Sequence, residues 1–383
     1  MPPNSLPEHP GFDSHGNSVW TYIMSAEKWA DTTKTSPAAK FNNDLIGVRV
    51  LGFLIKDLWD HCDQHTHFRA GYQSLLRDVT KVASQTSGSV GSPQDTEEIC
   101  KNICKLGLWY RNHLFRVFRS NTGPTPWNSQ HPSRPSIEVV KKQIMDDMAS
   151  TPKSKPEAKQ KALFRDGYRC CISRAFDSLV MTDTAVQQRA RNAGINRNTA
   201  TTCAHIFSES AQEPDKPAEY AASALAILSM FGLRDVAQQL MGGGVNNLSN
   251  VITMSTGLHK QFDLFTFWLE EIPGKPNEYK IVSPHELFFD MSDFGPTPSR
   301  QVKFEIDPQS LAELSANHSP LPPLPNSQLL ALRAACARVA HMSGAAEQID
   351  SISRDMETMG VLAEDGSNFH ILEHVLGSLV TAY

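Results

Sequence analysis

Three pieces of sequence set the expected fold: Thr201-Thr202-Cys203-Ala204-His205-Ile206, then Asn250-Val251-Ile252-Thr253-Met254, then His259-Lys260-Gln261-Phe262-Asp263. The first two are short, β-branched or apolar, and bounded by polar loop residues, which predicts a pair of strands. Ser255 or Thr256 is placed to cap a following helix. In that helix His259 and Asp263 are four apart and share one face, while Leu258, Phe262 and Phe265 supply an apolar face. The expected order is strand, loop, strand, helix, carrying His, Asn and His in turn.

The spacing of nine from Asn250 to His259, with Ala-His-Ile before it and His-x-x-x-Asp after it, resembles the HNH endonuclease family. Upstream, Leu163-Phe164-Arg165-Asp166-Gly167-Tyr168-Arg169-Cys170 resembles the arginine-rich lead-in of that family's fungal branch. Downstream, Phe265 to Glu270 and Tyr279 to Ile281 resemble its closing hairpin. The resemblance covers residues 158–282 in detail. It implies an α+β fold, a ββα-metal core with short hairpins, embedded between N-terminal and C-terminal mainly helical regions.

The activity implied is metal-dependent hydrolysis of DNA phosphodiester bonds, which needs an activated water, charge compensation at phosphate and help for the departing oxygen. His205 is the implied general base, since a neutral imidazole can take a water proton near neutral pH. Asn250 would fix the loop and orient that base, although Asn in a turn also serves local structure. His259 and Asp263 would hold one divalent cation; Mg²⁺, Mn²⁺, Zn²⁺ and Ni²⁺ all stay open. Arg165, Arg169 and Lys260 are the expected nucleic-acid contacts. The chain departs from the family where a metal ligand is usual: Ala204 stands before the base and Thr202 further back on the same side of the strand. A second reading is therefore a non-cutting module that keeps the fold and binds nucleic acid or a protein.

The 383 residues carry a net charge of −5. Between Thr151 and Ala200, ten Lys or Arg stand against four acids, so this segment is +6 and the remainder −11. A basic segment beside the site is what phosphate steering needs, and also what a solvated mixed-charge face looks like. Seven cysteines without CxxC spacing fit reduced thiols in an intracellular protein, nuclear or cytoplasmic, not secreted. Ser173 after Cys170-Cys171 argues against a structural zinc. The start lacks a basic-then-apolar leader, and no stretch reads as a membrane span.

Three regions are expected: a helical region over 1–150, a nuclease-like domain over 151–308 with a helical insertion near 215–244, and a helical region over 309–383. Helix-period spacing runs through Leu45, Val48, Leu51, Leu54 and Leu58, and again through Ile99, Ile103, Leu106 and Trp109. His61 and His65, one turn apart, could hold a metal or simply end a helix; Cys100 and Cys104 read as core. Residues 121–136, with four prolines, read as a linker, and helices are expected near 137–148, 156–166 and 327–341, with a strand at 304–306. Seven acids against Arg354 between Ser343 and His374 read as a solvated helical surface or as an acidic cover for the basic segment.

Overall fold

The computed structural model describes residues 4–33, 41–84, 93–119, 152, 154–195, 197–208, 225–290, 294 and 300–358. The linker at 121–136, the helix near 137–148, residues 215–224 of the insertion and the acidic end beyond 358 lie outside the described residues. The chain is a mixed helix and strand protein with small sheets. It divides into two compact units: the described parts of Met1–Val117, Pro214–Ala237 and Ala335–Tyr383, and those of Phe118–Glu213 and Gln238–Ala334. Among the described residues, no helix is long and apolar enough to cross a membrane.

The first unit is built on α1 (Ser14–Thr32), α2 (Asn43–Asp60), α3 (Phe68–Ser84) and α4 (Pro93–Tyr110). Asp13 and Asn42 cap α1 and α2 by accepting from Gly16 and Leu45 amides, which satisfies first-turn donors that have no helical partner. The expected stripe on α2 is the core-facing one, with Val48, Leu51, Leu54 and Leu58 fully buried. Gly47 and Gly107 let α2 and α4 touch: a Cβ on Gly107 would fall 1.8 Å from the Gly47 carbonyl oxygen. Cys100 and Cys104 are buried between these helices' apolar faces, as free thiols. Part of the insertion also belongs here, with Ser74 Oγ donating to the Met230 carbonyl at 3.1 Å.

The second unit contains α5 (Lys155–Arg165), β1 (Phe176–Asp177), α6 (Thr184–Asn192), β2 (Asn198–Thr199), β3 (Thr201–His205), β4 (Val251–Ser255) and α7 (Thr256–Asp263). It closes with β5 (Trp268–Glu271), β6 (Glu278–Val282), β7 (Gln301–Lys303) and α8 (Pro308–Ala316). β3 and β4 pair antiparallel with Cys203 opposite Thr253 and His205 opposite Val251. α5 lays Ala158 and Ala162 on this hairpin against Cys203, Leu248 and Val251, small residues that allow close approach. β5, β6 and β7 form one antiparallel sheet; the third strand is Gln301–Lys303, not 304–306 as expected, and Phe304 follows it with its amide donating to the Asn277 carbonyl and its ring on Tyr279, centroids 5.4 Å apart. The parallel pair β1 and β2 and helix α6 were not foreseen from the sequence. Helix α9 (Ser327–Ser343) crosses from the second unit into the first, where α10 (Ala345–Thr358) follows.

His61, His65 and His67 lie at the turn after α2 in the first unit. His61 Nδ1 is 2.8 Å from the Asp57 carbonyl oxygen, a helix-end bond. Among the described residues, no group of three or more His, Cys, Asp or Glu is placed to share a metal. Burial, followed by neighbouring histidines, lowers His65 and His67 from the usual 6.5 to about 4. Between those values the unfolded chain binds more protons than the fold, so stability falls as pH drops through that window. Acid titration of the melting temperature should therefore show a decline between pH 6.5 and 4 that becomes shallower in H65Q/H67Q; superimposable profiles would show that these rings are not held neutral.

Candidate active site

The strand, strand, helix run that ends in Asp263 carries five of the expected site residues, His205, Asn250, His259, Lys260 and Asp263. β3 ends at His205, and Asn250 directly precedes β4 on the facing strand. Ser255 caps α7 by accepting from the Leu258 amide at 3.3 Å, so the chain reverses at the far end of the hairpin and returns along it. Eight residues of helix rise about 12 Å, close to the length of a five-residue strand, so Asp263 arrives back near the His205 end.

One side chain confirms that convergence. Arg333, fully buried on α9, donates from Nη1 to the Ile206 carbonyl at 3.1 Å and from Nη2 to the Phe262 carbonyl. A single guanidinium therefore spans the residue after His205 and the residue before Asp263. Its plane lies over the Phe262 ring at 3.6 Å from the centroid, and its Nη2 is 3.9 Å from Asp263 Oδ1.

His205 is 6% exposed, and its Nε2 is 3.1 Å from Asn246 Oδ1. A carbonyl oxygen can only accept, so Nε2 is the donor in this contact. The expected orienting residue was Asn250, yet its hydrogen bonds tie the loop: Oδ1 accepts from the Phe207 amide at 2.8 Å, and Nδ2 donates to the Phe207 and Val245 carbonyls, each at 2.9 Å. Asn250 thus clamps both ends of the long segment between the strands, and Asn246, which sequence reading missed, holds the imidazole. The only signal for Asn246 was its place in the Asn-rich run before β4.

His259 and Asp263 meet one turn apart, with His259 Nε2 3.3 Å from Asp263 Oδ2. Burial lowers the His259 pKa, with Asp263 opposing and the Lys155 and Arg333 charges adding to the fall, so the ring is a neutral donor at physiological pH. One imidazole and one carboxylate fit a divalent cation of borderline character. Ala204 is buried and offers no donor, and among the described residues no third His, Cys, Asp or Glu joins the pair. The pair fits a cation whose remaining positions are filled by water and a phosphate, not a closed structural site.

Residues 170–270 match the family model described as HNH endonuclease. This segment is similar to the HNH endonuclease family. It spans well under half of the chain, contains His205, Asn246, Asn250, His259, Lys260 and Asp263, and starts just after Arg165 and Arg169. No curated protein and no solved structure matches the chain.

The three cationic residues expected to meet nucleic acid have different surroundings. Lys260 is exposed beside His259 on α7. Arg169 is partly buried, with Nη2 3.3 Å from Asp307 Oδ2, in a small pocket that also holds Arg174 and Lys303. Burial and the Arg174 charge lower its pKa, Asp307 opposing.

Arg165 is a correction. It is 0% exposed and uses all five N–H groups inside the fold. Nε and Nη2 donate to Asp166 at 2.7 and 3.0 Å, Nη1 to the Leu248 and Pro323 carbonyls at 2.8 and 3.0 Å, and Nη2 also to the Val251 carbonyl at 2.8 Å. It has neither the exposure nor a donor left for a phosphate. R165M should lower unfolding free energy by about 3–5 kcal/mol, because Asp166 is left as an unpaired buried charge. Denaturant unfolding checks this; a variant as stable as wild type would return Arg165 to the surface role.

Proposed function

We propose that the HNH domain hydrolyses DNA phosphodiester bonds, with His205 as general base and His259 and Asp263 as the protein ligands of one divalent cation. The observation that carries this reading is the bridge by Arg333, which brings the end of the His205 strand and the end of the His259–Asp263 helix to one guanidinium. Nuclease-type chemistry is what the family match supports in general.

In this reading Nδ1 of His205 takes a proton from water, and the Asn246 contact holds the ring in the tautomer that leaves Nδ1 basic. The water oxygen bonds to phosphorus, the bond from phosphorus to the departing sugar oxygen breaks, and that oxygen takes a proton from solvent. Bound at His259 and Asp263, a divalent cation would offset charge on the phosphate and departing oxygen. Lys260 and Arg169 contribute positive charge along the strand that is cut. The low exposure of His205 keeps its imidazole apart from bulk water, and the Asn250 clamp keeps the loop across it in place.

That no third His, Cys, Asp or Glu joins the pair among the described residues favours a second reading, a module that keeps the fold and binds nucleic acid or a protein without cutting. Incubation of plasmid and linear DNA with the purified chain in Mg²⁺, Mn²⁺, Ni²⁺, Zn²⁺ or chelator separates the two. Cutting in at least one metal, lost by about 10² to 10⁴ in H205A with DNA binding retained, is the expected result. N246A should lose about tenfold or more with the same binding, because the tautomer is no longer fixed. DNA binding without cutting in any metal would favour the module instead.

Binding should also weaken steeply with salt. R169A and K260A should each flatten the slope of log affinity against log salt by about one. Equal slopes in wild type and both variants would remove these residues from the interface.

A further inference from the structure

Arg333 lies beyond the matched segment, at 333 against 170–270, and yet its side chain reaches both the His205 strand end and the His259–Asp263 helix end. Its guanidinium donates to the carbonyls of Ile206, Phe262 and Phe118, stacks over Phe262 at 3.6 Å, reaches toward the Phe265 ring at 5.3 Å and stands 3.9 Å from Asp263 Oδ1. The carbonyls belong to three separate segments: the exit of the base-bearing strand, the end of the ligand-bearing helix, and the short helix at 116–118. A planar fork suits this task because its donors diverge at fixed angles, whereas an ammonium would hold them without fixing their separation.

The charge has a second consequence. Asp263 is buried at 4% exposure, and a carboxylate there needs a partner. One oxygen faces His259 and the other faces Arg333. The same positive charge that keeps this carboxylate compatible with burial also opposes a divalent cation that would share it, since unlike ligands such as water it brings no lone pair and a like charge.

We propose that Arg333 is the positioning residue of this site, fixing the separation of the His205 strand from the His259–Asp263 helix and holding the charge of Asp263 until a cation arrives with a phosphate. This rests on the nuclease reading above. It predicts a trade: the site is held ready in shape but binds metal weakly without substrate, and removing the charge should move the two properties in opposite directions. A residue that merely bolted the fold together would lower both.

The test uses the full chain with R333Q, which removes the charge, and R333K, which keeps the charge and loses the fork. Folding is read from circular dichroism and melting temperature, metal binding from calorimetric titration of Mn²⁺ without DNA, and chemistry from kcat and KM on plasmid DNA. R333Q should bind Mn²⁺ about tenfold more tightly than wild type. Both variants should lose about ten- to a hundredfold in kcat with KM within about twofold, because a misplaced base and ligand pair slows the chemical step without altering DNA contact. R333K should keep wild-type Mn²⁺ affinity. Equal or weaker Mn²⁺ binding by R333Q, or unfolding of both variants, assigns Arg333 to scaffolding alone and overturns the proposal. If wild type cuts no DNA, the nuclease reading fails by itself, and the Mn²⁺ comparison still decides Arg333.

Discussion

The second unit depends on the pairing of Arg165 with Asp166. A guanidinium with no exposure is tolerable only when every N–H has an acceptor, and here the five go to one carboxylate and three carbonyls. Two of those carbonyls, Leu248 and Val251, flank Asn250 at the entrance to β4, and Asp166 in turn lies 3.4 Å from the Thr253 amide on that strand. The helix that precedes the matched segment is thereby tied to the strand that follows Asn250. Asp177 repeats the device on β3, accepting from the Thr201 amide and hydroxyl. The hairpin is held from outside by buried charge on both strands before any ligand is considered.

Two further clamps act on the loop between the strands. Asn250 bonds both backbone groups of Phe207, behaving as one more rung of the ladder beyond the point where β3 ends, and the Ile206 amide donates to its carbonyl at 2.8 Å. The two ends of the segment that leaves at 208 and returns near 242 are thereby fixed to each other.

Much of the local structure was legible. The strands at Thr201–His205 and Val251–Ser255 follow β-branched composition, Ser255 caps the helix as its side chain allows, and the stripe on α2 is the buried one. These are short-range properties, set by side-chain shape and by where the nearest backbone donors are. The hidden features are contacts across long separations. Arg165 sits in a basic run and looks like a surface cation; only the Leu248, Val251 and Pro323 carbonyls, more than eighty residues away, make it a core residue. Asn246 and Asn250 are indistinguishable by type, and their division of labour appears only once the loop is closed.

The sequence by itself determined which residues are the candidates for chemistry here: His205, His259 and Asp263 at spacings that a strand and one turn of helix translate into fixed directions, within a segment that matches the HNH endonuclease family model. Tertiary structure decided how those residues are held. It placed Arg333 between the strand end and the helix end, gave His205 its partner in Asn246, and withdrew Arg165 from any surface. The physical reason is that periodicity and spacing act over a few residues, whereas the fate of a buried charge or amide depends on which carbonyls the fold brings within about 3 Å of it.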